Sequence, residues 1–354
     1  MNTFRIISIL LLNLVYICFD AYCQDSKTEW RLKNRVQLGF EQDNNVEESL
    51  TNAESAKALK LHYHSQVNRR WRRASLQLTY QGGYQVYWEY TSENKMINEI
   101  AGRFSYQLSP RLAMGVDTWG RIKLFLNRDP RYGIGTVGAF INVYLPGRIS
   151  CQVTGRAEGL DYATTDHHDY YGQGVFIRFG KRFLPALTVS PEIGFQSFNF
   201  NRQAFDFQSQ NNWRPLPETQ SDHNLRFGCT IDGSWQGYII NVSYFYEKYN
   251  SNSYGFNFDR HRLNIVAAKK LFGVLLRVYA NLQRKSYTDD LLPFYPLEID
   301  TEKEESNFLV TDISRELVPS IVLLVRLAWY ENESPWPNLY YSKRLANLGF
   351  EFRF

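Results

Sequence analysis

From residue 30 to the last residue, apolar and polar side chains alternate with a period of two in one stretch after another. In the first stretch Trp30, Leu32, Val36, Leu38 and Phe40 share one face, and Arg31, Lys33, Arg35 and Gln37 share the other, the spacing of a strand with one greasy and one polar surface. The second sets Leu59, Leu61, Tyr63 and Val67 against Lys60, His62, His64 and Gln66. The third runs Leu76, Leu78, Tyr80, Gly82, Tyr84, Val86, Trp88, Tyr90, with Gln77, Thr79, Gln81, Gln85 and Glu89 opposite. It exceeds the ~5–6 residues of an ordinary globular strand and suits a strand that crosses a bilayer at a tilt. The pattern predicts further strands at 100–108, 112–126, 137–145, 149–159, 175–179, 187–195, 225–231, 238–246, 263–267, 274–282, 308–313, 321–329 and 346–354, with 175–179 and 308–313 the weakest. The expected total is about 16 strands, between about 14 and 18, an even number being expected when both ends lie on one side of a membrane.

The connections sharpen this expectation. Residues 42–58, 161–171, 201–223 and 287–306 read as long loops, whereas 68–73, 109–111, 146–147, 181–185, 232–237 and 269–271 read as short turns, several bearing Pro, Gly or Asp. Long and short connections in alternation predict an all-β protein: a single closed antiparallel up-and-down transmembrane β-barrel, with short periplasmic turns and long extracellular loops. Closure follows from backbone chemistry, because in hydrocarbon every N–H and C=O must find an internal partner. Glycines within strands, such as Gly82 and Gly83, permit the bends that closure needs.

Residues 1–23 read as a secretory signal peptide. Arg5 supplies its positive start, residues 6–19 its apolar run, and Ala21 and Cys23 the small side chains of a cleavage site, so that Gln24 begins the mature chain. A membrane anchor helix and a lipidated Cys23 are the alternatives; the run is short for the ~20 residues of a spanning helix, and Asp20 and Tyr22 fit a lipidation site poorly. The barrel then occupies 24–354. Beyond the signal no apolar run is long enough for a transmembrane helix. Mean hydropathy is −0.41, yet there are 24 Tyr, 24 Phe and 8 Trp, a combination that suits one lipid face and one wet face. Trp88 and Tyr90, Tyr244 and Tyr246, and Trp329 and Tyr330 lie at strand ends leading to the long loops and are expected in an interfacial girdle. Cys151 and Cys229 fall on apolar faces of separate strands and read as small hydrophobes, not a disulfide. The net charge of +4 is too mild to imply nucleic acid.

The chain ends Leu348-Gly349-Phe350-Glu351-Phe352-Arg353-Phe354, with Leu348, Phe350, Phe352 and Phe354 on one face. A last strand that alternates in this way and stops on Phe resembles the assembly signal of Gram-negative outer-membrane β-barrel proteins of the porin-like kind. The resemblance implies residence in the outer membrane, contact with its lipid, and engagement of Phe350, Phe352 and Phe354 by the barrel-assembly machinery during insertion. It matches no particular subfamily, so no functional residues carry over.

If the apolar stripes face lipid, the opposite positions line the interior. These include Arg31, Lys33, Arg35, Lys60, Arg103, Asp117, Arg121, Lys123, Arg156, Glu158, Arg178, Glu192, Arg226, Arg262, Arg277, Arg326 and Arg353, with Glu89, Glu99, Glu247 and Glu351 as further carboxylates. A cationic lumen in a barrel of this size favours anionic solutes; alternatively the charges pair across strands and only solvate the interior. Asp166, His167, His168 and Asp169 form a weak candidate for a divalent metal, with no second ligand pair at a recognisable spacing. Residues 289–305 form an acidic loop that reads as a solvated surface. His62, His64 and Ser65 are the candidates for a lipid hydrolase, but His62 and His64 share a face that Ser65 does not, and there is no Gly-x-Ser-x-Gly turn. Three functions therefore stand at this point. The foremost is a porin-like passive channel for small hydrophilic, anionic solutes, with no cofactor and no metal. The second is a structural or partner-binding barrel with a plugged lumen in an envelope complex, and the third a lipid hydrolase.

Overall fold

The computed structural model describes residues 30–48, 52–127, 131–162, 169–209, 212–289, 307–331 and 341–354; the expected signal segment 1–23 lies outside them. Sixteen antiparallel strands form one closed barrel in which each strand pairs with its sequence neighbours and the last pairs with the first. In order they are β1 Trp30–Asp43, β2 Ala56–Arg70, β3 Ala74–Tyr87, β4 Lys95–Ser109, β5 Leu112–Phe125, β6 Tyr132–Leu145, β7 Ile149–Tyr162 and β8 Tyr170–Leu184, then β9 Leu187–Ser209, β10 Asn212–Trp235, β11 Tyr238–Ser251, β12 Phe258–Leu271, β13 Val274–Tyr287, β14 Asn307–Val318, β15 Ile321–Glu331 and β16 Ser342–Arg353. Closure is made by β1 and β16 in the register Arg35↔Arg353 to Asp43↔Leu345. The terminal Phe354 exchanges two backbone hydrogen bonds with Asn34, at 3.0 and 3.1 Å.

The alternation sorts the side chains as expected. Along β1, Leu32, Leu38 and Phe40 are 44–60% exposed, whereas Glu41 and Asp43, just beyond them and of opposite parity, are at most 3% exposed. Antiparallel partners share a face, so the registers carry this assignment around the barrel: the face bearing the buried charges points inward, and the exposed Leu, Ile, Val, Phe and Tyr form the outer surface. A 14-residue strand such as β1 measures about 46 Å at ~3.3 Å per residue. The ~9–11 residues that cross the bilayer therefore leave about 3–5 residues of each such strand outside it.

Three tight turns have consecutive residues at positive φ: Gly147-Arg148, Gln236-Gly237 and Phe272-Gly273. This is the turn form whose twist matches paired strands. The β12–β13 turn falls at Phe272-Gly273, beyond the 269–271 expected, because the ladder continues through Lys269, Lys270 and Leu271. Likewise 175–179 and 263–267 are the middles of full strands, and 308–313 is the first half of one. Toward their ends the strict alternation breaks, with runs such as Lys181-Arg182-Phe183-Leu184 and Arg315-Glu316-Leu317-Val318, while the hydrogen-bond ladder continues.

The largest correction concerns 201–223, expected as a loop. It is ladder: β9 has 23 residues and β10 has 24, and they pair from Leu187↔Gly233 to Ser209↔Asn212, with register shifts around Pro215 and Thr219. Their flanking partners stop much earlier, at Phe200↔Tyr170 and Asp222↔Ser251, so the β9–β10 hairpin rises past its neighbours at the long-loop end. The 252–257 connection braces it through Tyr254 N–H to the Phe205 carbonyl at 2.9 Å, Phe205 N–H to Ser253 Oγ at 3.1 Å, and stacking of Tyr254 on Phe207.

Candidate functional site

The inner wall holds the charged side chains singled out in the sequence. Arg31, Arg35, Lys60, Arg103, Asp117, Arg121, Arg156, Glu158, Arg178, Glu192, Arg226, Arg262, Arg277 and Arg326 all occupy inward positions in the registers. Many form ion pairs between adjacent strands. Glu192 bridges Arg178 and Arg226. Glu247 accepts from Arg260 at 2.7 Å and Arg262 at 3.2 Å. Asp312 accepts from Arg326 at 2.6 Å and lies 3.7 Å from Arg277. Glu99 pairs with Arg121 at 2.9 Å, and Glu41 with Lys60. Pairing therefore coexists with a cationic excess: Lys95, Lys123, Arg260, Lys285 and Lys343 also face inward.

Aromatic rings hold the arginines flat against the wall. Arg103 lies 4.5 Å over Phe140, Arg156 lies 5.4 Å over Phe176, and Arg226 lies 3.9 Å over Phe245, which Arg262 also approaches at 5.5 Å. Those rings lie against glycines on the next strand. A Cβ on Gly228 would fall 2.1 Å from the Phe245 ring, and one on Gly194 would fall 2.3 Å from Phe176. Glycine, aromatic ring and guanidinium thus stack outward-to-inward, and the stack fixes an otherwise floppy cation by cation–π attraction. The sequence signalled the arginines by their parity, but not these partners, which come from neighbouring strands. Arg260 was missed because it lies three residues before the predicted strand at 263–267, whereas Arg262 adjoins it; β12 begins at Phe258 and gives both the same parity.

A second inward cluster closes around the β1–β16 seam at the long-loop end. Lys343, 1% exposed, sits 2.8 Å from Asp43, which is fully enclosed, and 3.1 Å from Glu48. The Tyr87 hydroxyl donates to Asp43 at 3.1 Å, and Asn45 donates to the Ser342 carbonyl at 3.0 Å. Beside it Val46 packs with Ala56, Ala58 and Tyr87, so the start of the first long connection turns in over the wall.

Other expectations divide. Trp88 and Phe40 stack on the outer surface, and Tyr244 and Tyr246 face outward beside His261. Tyr330, expected with Trp329 in the girdle, points inward against Phe308, and Tyr90 packs on the inward Val46 cluster. The structure brings His62 and His64 inward but leaves Ser65 on the opposite face, so these three do not form a nucleophile–base pair. Cys151 and Cys229 are free thiols at outward positions. Of the acidic and histidine loops, only Asp169 and Asp289 lie among the described residues, within which no group of metal-binding side chains occurs. Glu89 follows the end of β3 and lies off the wall.

No protein-family model matches the chain, and no curated protein does. Solved structures of similar shape include OccAB3 of Acinetobacter baumannii, at 8% identity and a TM-score of 0.46, covering 92% of this chain and 99% of that one. OccK2 (OpdF) of Pseudomonas aeruginosa aligns at 6% identity and a TM-score of 0.46, covering 92% and 98%. The CymD monoaromatic hydrocarbon channel aligns at 10% identity and a TM-score of 0.40, covering 91% and 88%. At these values the likeness carries nothing about solute, and the assignment rests on the barrel's own build. Sixteen strands closed on themselves, an apolar outer surface, a charged inner wall and short turns at one end against long connections at the other make this chain an outer-membrane-type transmembrane β-barrel.

Proposed function

We propose that the barrel is a porin-like passive channel that favours small anionic hydrophilic solutes, needing neither cofactor nor metal. The observation that supports it is the inner wall: arginines on successive strands, held by aromatic rings and outnumbering the carboxylates that neutralise them. A barrel of this strand number can enclose water. In it an anion would exchange part of its hydration for guanidinium contacts at several stations, each weak enough to leave. The test is conductance of the purified protein in a planar bilayer under a potassium chloride gradient. The expected result is a steady current whose reversal potential shows chloride preference, with that preference falling roughly twofold in Arg103→Gln/Arg156→Gln. A cation-selective current would overturn the anion preference.

A second reading is favoured by the β9–β10 hairpin, which rises past its neighbours and is braced by 252–257. We propose it as the docking element should the barrel serve an envelope complex. A silent bilayer together with stoichiometric co-purification of a second envelope protein would favour that reading over the channel. In either case Phe350, Phe352 and Phe354 are proposed as the segment that the assembly machinery engages, after removal of residues 1–23 on export.

A further inference from the structure

The arginine belt covers one side of the lumen, and an imidazole pair stands at the same depth on the other. Arg103, Arg156, Arg226 and Arg262 lie six to nine residues from the short-turn ends of their strands, at Ser109, Ile149, Trp235 and Leu271. His64 and His62 lie six and eight residues from Arg70, the corresponding end of β2. In the ring of sixteen, β2 and β10 are eight strands apart, so the pair faces Arg226 from the opposite wall. Both imidazoles are inward and half-buried, on alternate residues of one strand. The other described histidines, His223 and His261, point outward against Phe195 and Tyr244.

The neighbours set what the pair can do. On β1, Gln37 stands opposite His62 and Arg35 opposite His64; on β3 the partners are Gly83 and Gln81. Gln81 hydrogen-bonds His62, and Arg326 of β15 and Arg35 add their fields to it. Glu351 of β16 is the carboxylate whose field reaches His64, and it already serves Gln37, Arg35 and Arg353. Farther along β2, Lys60 pairs with Glu41, and Arg326 pairs with Asp312. The fixed charges around the imidazoles are thus already matched with one another. Imidazole is the side chain whose charge ordinarily changes in the neutral range, so a proton taken up here adds net positive charge to this sector of the wall.

We propose that His62 and His64, beside Arg35, form a proton-dependent anion station that extends the arginine belt to the opposite wall as the pH falls. The inference rests on the channel reading and makes its anion preference a function of pH. The test is the reversal potential of the full barrel in a planar bilayer under a potassium chloride gradient, at about pH 8 and about pH 5.5. The wild-type chloride preference rises roughly twofold between the two, whereas His62→Gln/His64→Gln holds nearly one value. His62→Lys/His64→Lys, whose charge is fixed, keeps the higher preference at both. A wild-type preference that does not move with pH, or an equal rise in the glutamine variant, overturns the station, the latter because carboxylates would then be responsible. Should the glutamine variant fail to fold, the lysine variant decides by the presence or absence of its pH dependence. A silent bilayer sinks the channel reading alone, and calorimetric titration of sulfate into the barrel in detergent then decides the station, since the charge of sulfate is constant over this range. Tighter sulfate binding at the lower pH, lost in the glutamine variant, supports it; binding independent of pH overturns it.

Discussion

Single residues on this wall are held by partners whose loss is costly. Lys343 neutralises Asp43 in an enclosed pocket at 2.8 Å. Replacing it in Lys343→Met leaves a buried carboxylate with no cation at that distance, and breaking such a pair costs about 3–5 kcal/mol. Urea unfolding of the protein in lipid vesicles should show that loss, whereas Lys343→Arg should keep most of the stability. The opposite sign is expected at Phe272, which stands fully exposed at a φ of +48° in the β12–β13 turn. A left-handed backbone costs most non-glycine residues about 1–2 kcal/mol, and asparagine tolerates it better. Phe272→Asn should therefore raise the urea midpoint, by about 1 kcal/mol in free energy. Neither position was legible in the sequence alone, because Lys343 reads as one more charge near a strand and Phe272 as part of the apolar stretch that continues through Val274, Leu275 and Leu276.

At the scale of elements, strands are held together by side chains that cross the ladder as well as by its hydrogen bonds. Gly228 of β10 accepts the Phe245 ring of β11, and that ring carries Arg226 and Arg262. Gly228→Leu must push the ring off the wall, at an overpacking cost of about 1–3 kcal/mol. Both arginines would then lose their platform, so the chloride preference of the bilayer current should fall together with stability. An unchanged reversal potential in a folded variant would show that this stack does not set selectivity. The extension of β9 and β10 past residue 200 was hidden for a related reason. With no lipid on either side, residues such as Asn201, Gln203 and Arg214 show no greasy face, although the backbone keeps pairing.

Closure gives the molecule its stability in lipid, and its seam lies where the chain begins and ends. Phe354 completes the seam through its two hydrogen bonds to Asn34 and places an exposed ring on the outer surface. Deleting Phe354 should lower accumulation in the outer membrane several-fold on quantitative blots of membrane fractions, while protein refolded in detergent still shows the heat-modifiable mobility of a closed barrel. Equal accumulation would remove the terminal ring from the assembly step. The sequence by itself determined the barrel, a strand number near 16 and the face on which most of the wall's charges sit, because lipid outside and water inside impose a period of two on every membrane-crossing strand. It also placed the final strand against β1, since a sheet in hydrocarbon cannot leave an edge unpaired. Only the tertiary structure decided which arginine lies on which ring, which carboxylates they share, how the first long connection turns inward, and how far β9 and β10 rise. Those contacts join strands brought together by register and tilt, and a local period of two carries no information about either.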